Sequence, residues 1–466
     1  VLLATIGPGV ANAANTVANA HQDKVPLIFL TGCVDGALAH TYTHQVFDHQ
    51  QLLRPIVKGS FRAEAGAVGA VIDKAIALAI SGQPGPVHVD VPIGVAEGES
   101  DEMALPAPPV AAPALADVSA IAAALNKAER PLIIAGLDAV NTGAGDVLTK
   151  LALAGNIPVI ATYKAKGLLG ADAAALDLGG HGLSPKSDRT ILPLIKASDC
   201  VILAGYDPIE MRVGWRFPFA DNSAVVDISP VARDHGMHSP THTLEGDVRG
   251  HIEALANAVT AHENWINGEP VSARVALAEA FATPAEWGPG QVFATLRDNL
   301  PEDTVITADS GAHRILLSQV WACRAPRQML QSTALCTMAC SVPIGAGYKL
   351  IAPDTPVCSF VGDGGMEMGL GELATLRDHK IPLIICVLVD ESLTLIEMKQ
   401  RGSQRANVGV DFSGSDFPAI AAAMGGHGVW VDDVDTLASE ADVALSRDTF
   451  TVLACRIGRR AYDGTF

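Results

Sequence analysis

The stretch VGDGGMEMGLGELATLRDHKIPLIICVLVDESLTLIEMKQ, residues 361–400, sets Asp363 among glycines and, 27 positions on, ends an almost wholly apolar run in Asp390. An uninterrupted apolar run of this length reads as a strand buried on both faces, the pattern of parallel sheets covered by helices. A Gly-rich turn, a helix expected over Met366–His379 and a second strand make a βαβ crossover. Both aspartates then fall at the carboxyl ends of neighbouring strands, where open α/β sheets bind ligands. Carboxylates are costly to bury alone, so the two are expected to share a cation. The amides behind Gly364 and Gly365, at a helix N-terminus, favour phosphate. Two carboxylates and a loop carbonyl two residues past Asp390 suit Mg²⁺, with phosphate oxygens and water completing its octahedron. The bland alternative is a pair of helix-capping aspartates.

Outward from this stretch, the 466-residue chain is too long for one ordinary core. Half of it is apolar and 18% charged, with a net charge of −19, which argues against nucleic acid or anionic membrane as partner. A phosphorylated ligand stays admissible if a metal ion or backbone amides take its charge. The eight cysteines show no CxxC and no zinc spacing, and most lie in strand-like runs. They read as buried free thiols of a reducing, cytoplasmic protein. No apolar run reaches the length of a membrane span. The opening VLLATIGPG begins in mid-strand and reads as a truncated start.

Three blocks alternate strand and helix, giving an α/β fold of three doubly wound parallel-sheet domains over 1–100, 118–258 and 291–466. A Pro/Ala segment at 104–117 separates the first two as a linker, and a mixed connection over 261–290 the last two. GPGVANAANTVANAHQDKVPLIFLTGCVD at 7–35 echoes GDGGMEMGLGELATLRDHKIPLIICVLVDES at 362–392. Each has a Gly-x-Gly turn, a helix, Lys-[Val/Ile]-Pro-Leu-Ile and a strand running to an aspartate, which reads as an internal duplication.

GDG, 24 residues and the pair Val389-Asp390 resemble the signature of the thiamine diphosphate enzymes, in which the pair is usually Asn-Asn. The resemblance implies that Asp363, Asp390 and the Ser392 carbonyl ligate Mg²⁺, with Gly362, Gly364, Gly365 and Leu393 lining the cofactor. More of the chain is similar to the acetolactate synthase branch. TIGPGVANAANTVANAHQDKVPLIFLTG resembles the pyrimidine-binding domain, and ATYKAKGLL, GGHG, GYDPIE and VVDISP the Rossmann-like middle domain. TADSGAHR at 307–314 resembles a loop that would put Ala312 and His313 at the diphosphate. LQSTALCTMACSVPIGAGYKL at 330–350 resembles the stretch whose Met, here Met338, props the cofactor in its bent form. The backbone at Cys336 and Met338 would hold the aminopyrimidine. His44-Gln45 aligns with the family's Phe-Gln, so Gln45 would face the bound intermediate; His49 is a further candidate there. The carboxylate that activates the ring precedes the GPG stretch in the family and is expected before Val1. Glu64, read as helical, and Asp35, at the end of a strand, are no substitutes.

The resemblance implies decarboxylation of a pyruvate-like 2-oxo acid with carboligation, by a transferase or lyase acting as a homodimer or homotetramer. Simple 2-oxo-acid decarboxylation, a sulfoacetaldehyde acetyltransferase-like activity and a non-catalytic cofactor-binding relative stay open. Two departures bear on the acceptor pocket: the family's VDLPK lysine is Ile93, and a Trp after the metal motif is Lys399. A flavin (FAD) in the middle domain is possible but disfavoured, because GYDPIEMR departs from the flavin-binding pattern. A nucleotide-dependent oxidoreductase would place Asp227 at a strand end after Gly205, but the chain has no GxGxxG. His181 is expected to be structural.

Overall fold

The computed structural model describes residues 1–99, 114–233 and 235–466, so most of the Pro/Ala segment lies outside the described residues. The chain forms two compact units, Val1–Ala114 and Leu115–Phe466.

In the first unit β1 (Leu2–Ala4), β2 (Leu27–Cys33), β3 (Gly59–Arg62) and β4 (Pro86–Pro92) make a parallel sheet in the order β1-β2-β4-β3. Phe29, Val87 and Val89 on its two inner strands are fully buried. Helix Pro8–Gln22 starts with proline at its first position behind Gly7, where the missing N–H costs nothing. Glu64 lies in the loop before helix Val68–Ile80, not in a helix as the sequence suggested.

The second unit holds two sheets. One has β5 (Pro131–Ala135), β6 (Val159–Thr162), β7 (Asp177–His181), β8 (Cys200–Ala204), β9 (Ala224–Ser229) and β10 (His242–Glu245), in the order β10-β9-β8-β5-β6-β7. The other has β11 (Val305–Ala308), β12 (Met329–Gln331), β13 (Val357–Gly362), β14 (Ile384–Val389), β15 (His427–Val431) and β16 (Thr451–Arg456), in the order β12-β11-β13-β14-β16-β15. All described pairings within the three sheets are parallel, as the apolar runs foretold.

Several local readings need correction. The crossover after β13 is two helices, Asp363–Met368 and Glu372–Asp378, rather than one from Met366. Glycines 369 and 371 sit at the break, where helix is costly. Asp227 lies inside β9, and β8 stops at Ala204 because Gly205 turns at φ 59°. The 261–290 connection also contributes core: Trp265 and helix Glu269–Ala280 pack against Leu132, Ile134 and Ile195.

The two echoing segments end their helices identically. Lys24 and Lys380 both adopt left-handed backbone, at φ 56° and 51°. Behind them Val25 N–H reaches Ala20 O at 2.8 Å and Ile381 N–H reaches Leu376 O at 2.9 Å. This six-to-one closure satisfies carbonyls that a helix end otherwise leaves bare.

Between the two sheets of the second unit, Lys166 is buried and gives its ammonium to the carbonyls of Ser318 and Trp321. These close the last turn of helix Ala312–Val320, where a cation meets the negative end of the dipole. At the carboxyl ends of β5 and β8, Gly136 and Gly205 press together, and a Cβ on Gly136 would stand 2.5 Å from Gly205 O. Arg233, its side chain 6% exposed, spans the same place, paired with Asp138 at 2.5 Å and Asp207 at 3.1 Å, with Asp227 at 4.0 Å.

Burial pushes the Asp227 carboxyl up to about 6; the charges of Asp138 and Asp207 add to this and Arg233 opposes it. Between its ordinary 3.8 and about 6, the folded chain keeps a proton that the unfolded chain has lost. Stability from this group therefore falls as pH rises through that window, by roughly 2–3 kcal/mol. Asp227→Asn is expected to remove that slope, measured as denaturant midpoints at pH 4 to 7. Equal slopes in both proteins would refute the assignment.

Candidate active site

The site is built from the carboxyl ends of β11, β13 and β14. Asp363 follows β13 directly, as the first residue of its helix, and Asp390 follows β14. The two strands are adjacent and in register, Gly362 opposite Leu388, so the aspartates are neighbours. Both are buried. Asp363 Oδ2 accepts from the amides of Asp390, at 3.0 Å, and Glu391, at 2.6 Å, while Oδ1 accepts from Gly364 N at 2.8 Å. Asp390 Oδ2 accepts from the Thr394 hydroxyl. Burial raises both carboxyls; Asp390 reaches about 7, with the charge of Asp363 contributing. Neither carboxylate pairs with a lysine or arginine within 4 Å among the described residues. Buried acids left without a cation are what a divalent ion would compensate, so the donor set fits Mg²⁺.

Ser392, at the rim, gives its hydroxyl to Asp411 at 2.9 Å, and Leu393 N–H donates to Val410 O at 2.8 Å. These bonds tie the 390–393 turn to the 410–411 segment, after Glu391 has taken left-handed backbone at φ 53°. Gly364 could not carry a Cβ freely, since it would meet Leu393 at 3.0 Å.

A cavity of 620 Å³ opens on this edge, lined by Gly362 to Gly365, Ala312, His313, Met338, Cys336, Asp390, Ser392 and Leu393. The sequence-derived candidates of the second unit thus come together in one cavity. His313 is buried, and burial lowers its imidazole to about 4, so it is neutral at pH 7. Its Nε2 has no partner among the described residues. A Cβ on Gly362 would touch its ring at 3.5 Å, so the glycine leaves the space beside it open.

His44 and Gln45 belong to the first unit, in an exposed segment. Gln45 has φ 59°, and its carbonyl lies where a Cβ on Gly7 would be, 2.4 Å away. His49 is buried: its Nε2 accepts from Gly7 N–H at 3.3 Å and its Nδ1 meets Asp90 at 2.8 Å. Since Nε2 accepts, Nδ1 carries the proton to Asp90, and the ring is committed to holding the GPG turn. Thr31 bridges Asp90 to His88, which Ser60 holds from its other nitrogen. His49 and His88 with Asp90 form the one group of three or more potential metal-ligating side chains among the described residues; this tautomer leaves His49 without a free lone pair for an ion, because Gly7 N–H occupies Nε2. His181, in the second unit, is buried between Ser187 Oγ and Leu178 O.

Four residues escaped the sequence reading. Asp309, fully buried, accepts from Ala339 N and Cys340 N, each at 2.9 Å, and so pins the turn carrying Met338. Thr394 fixes Asp390, and Tyr462 lines the cavity from the C-terminal end of the chain. Arg314 links Ser332 O to Cys336 Sγ. Only Asp309, another aspartate at a strand end, carried a signal that pattern alone could have found.

Fold and cavity define a class: an α/β protein with a glycine-lined cavity of cofactor size at the carboxyl edge of a parallel sheet. Models of three thiamine pyrophosphate enzyme domains match this chain: the N-terminal TPP binding domain over 1–52, the central domain over 118–255 and the C-terminal TPP binding domain over 309–455. It is 28% identical over 464 residues to a probable acetolactate synthase large subunit of Methanococcus aeolicus, covering 91% of this chain and 76% of that one. Acetolactate synthase of Bacillus subtilis is 26% identical over 449 residues, 94% of this chain and 78% of its own. Isozyme 1 large subunit of acetolactate synthase from Escherichia coli is 28% identical over 414 residues, 86% and 72% respectively. The chain belongs to the thiamine pyrophosphate-dependent enzymes and is similar to their acetolactate synthases.

Among the described residues no helix is long and apolar enough to cross a membrane. All eight cysteines are free, five of them buried.

Proposed function

We propose that the enzyme decarboxylates a 2-oxo acid and joins the remaining fragment to an acceptor, with thiamine diphosphate and Mg²⁺, as its acetolactate synthase relatives are named for. The observation that carries this reading is the buried pair Asp363 and Asp390 on a glycine-lined edge, in the same cavity as Met338. Asp363 and Asp390, with the Ser392 carbonyl, would hold the metal. The cofactor supplies a carbon nucleophile and an electron sink. Around it, the amide of Gly365 would meet the diphosphate, with His313 lining the same cavity. Met338, on a turn held by Asp309, would support the ring. The apolar side chains of Leu393, Ile396 and Met398 line the cavity and would limit water there.

Incubating the full-length protein with thiamine diphosphate, Mg²⁺ and pyruvate, and identifying products by NMR, tests the reading. Acetolactate supports carboligation, acetaldehyde alone supports simple decarboxylation, and unchanged pyruvate with cofactor bound opposes both for this substrate.

The active unit is expected to be at least a dimer, since in the family the cofactor lies between the pyrimidine-binding domain of one chain and the diphosphate-binding domain of another. Two-fold pairing then gives two equivalent sites. A monomer mass by light scattering, for active cofactor-loaded protein, would sink this expectation.

A further inference from the structure

The cavity holds a cation that the metal and diphosphate chemistry does not use. Arg314 is 5% exposed, yet no carboxylate lies within ion-pair distance of it among the described residues. Its Nη1 donates to Ser332 O at 2.7 Å and its Nη2 to Cys336 Sγ at 3.2 Å, while Nε has no partner among the described residues. Buried charges are ordinarily paired, because desolvation is otherwise uncompensated. Two further cations line the same cavity. Arg212 is neutralised by Asp188 at 3.0 Å, whereas Lys399, exposed on helix Thr394–Gly402, has no ion pair among the described residues. The acids lining the cavity, Asp363 and Asp390, would hold the metal in the reading above. What remains is positive charge facing a space that receives substrate.

Arg314 is tethered to Ser332 and Cys336, on the segment that leads to Met338. In the reading above, that segment would support the cofactor ring. An arginine gripping the carboxylate that leaves as CO₂ would stabilise the ground state and lose its partner on the way to the transition state, slowing the reaction. An acid group that stays on the substrate is held equally before and during that step, and its binding energy is not wasted.

We infer that Arg314 determines specificity by binding a second, retained carboxylate, so that the substrate is a short 2-oxo dicarboxylic acid. This rests on the decarboxylation reading above.

The full-length protein, loaded with thiamine diphosphate and Mg²⁺, is titrated calorimetrically with glutarate and with butyrate, unreactive acids that differ by one carboxylate. The ratio of kcat/KM for 2-oxoglutarate to that for pyruvate is measured in parallel. Glutarate is expected to bind about 10- to 100-fold tighter than butyrate. Arg314→Gln should abolish this preference and lower the kcat/KM ratio at least tenfold, mainly through KM, with cofactor affinity within about twofold of wild type. Arg314→Lys should keep part of both. Equal binding of the two acids by wild type overturns the inference, as does an equal loss for both acids in Arg314→Gln, the mark of a structural role. A fall in thiamine diphosphate affinity instead would assign Arg314 to the diphosphate and likewise overturn it. Preference for glutarate without consumption of any 2-oxo acid would uphold the anion site and defeat the decarboxylation reading. Pyruvate consumption without that preference would do the reverse.

Discussion

Asp363→Ala is expected to weaken thiamine diphosphate binding at fixed Mg²⁺ by at least on the order of 100-fold, since changing a mere outer-shell partner of a metal ligand already costs 10- to 100-fold. The loss has two sources. One oxygen ligand disappears, and the amides of Asp390, Glu391 and Gly364 lose the carboxylate on which they converge. The turn that carries the second ligand is therefore released together with the first. Asp390→Asn should be mild by comparison, because the amide keeps an oxygen for the metal and asparagine is the usual residue there in the family. Calorimetry of cofactor binding across a Mg²⁺ series separates the two variants. Unchanged affinity in Asp363→Ala would show that the metal lies elsewhere.

Gly365→Ala should cost roughly 2–4 kcal/mol of stability and most of the activity. A Cβ at this position would lie 2.2 Å from Asp309 Oδ2, far inside contact distance. The carboxylate would have to move, and it holds the Ala339 and Cys340 amides. Those amides close a turn in which Cys336 and Ala339 take left-handed backbone, at φ 58° and 60°, without the freedom of glycine. With the anchor displaced the turn relaxes, and Met338 with it. Denaturant midpoints for Gly365→Ala, Asp309→Ala and the double variant form a cycle. Gly365→Ala should cost less than about 1 kcal/mol once Asp309 is alanine, because the obstructing oxygen is gone. Additive losses would mean that the glycine and the aspartate act separately.

Five strands with weak sequence patterns share a position. β3, β7, β10, β12 and β15 lie on the edges of their sheets. Their sequences, such as DLGGH and HTLE, lack the unbroken apolar run that burial on both faces imposes on an inner strand. Inner strands such as β13 and β14 announced themselves because both of their faces are dry. The helix expected from Met366 was misplaced for a different reason. Its apolar rhythm crosses Gly369 and Gly371, but only the path of the backbone decides that the helix breaks there.

Sequence alone determined the parallel α/β class, the pairing of Asp363 with Asp390 and the echo between residues 7–35 and 362–392. Each is carried by local spacing or by the composition of a single buried run, and such signals need no knowledge of distant residues. Tertiary structure alone decided that Asp309 pins the Met338 turn from 30 positions away and that His49 is spent on Gly7 and Asp90. It also decided that Arg314 is buried in the cavity wall with no carboxylate paired to it among the described residues. A side chain's partners depend on which strand ends the sheet order brings together. That order is set by non-local packing, which leaves no periodic trace along the chain.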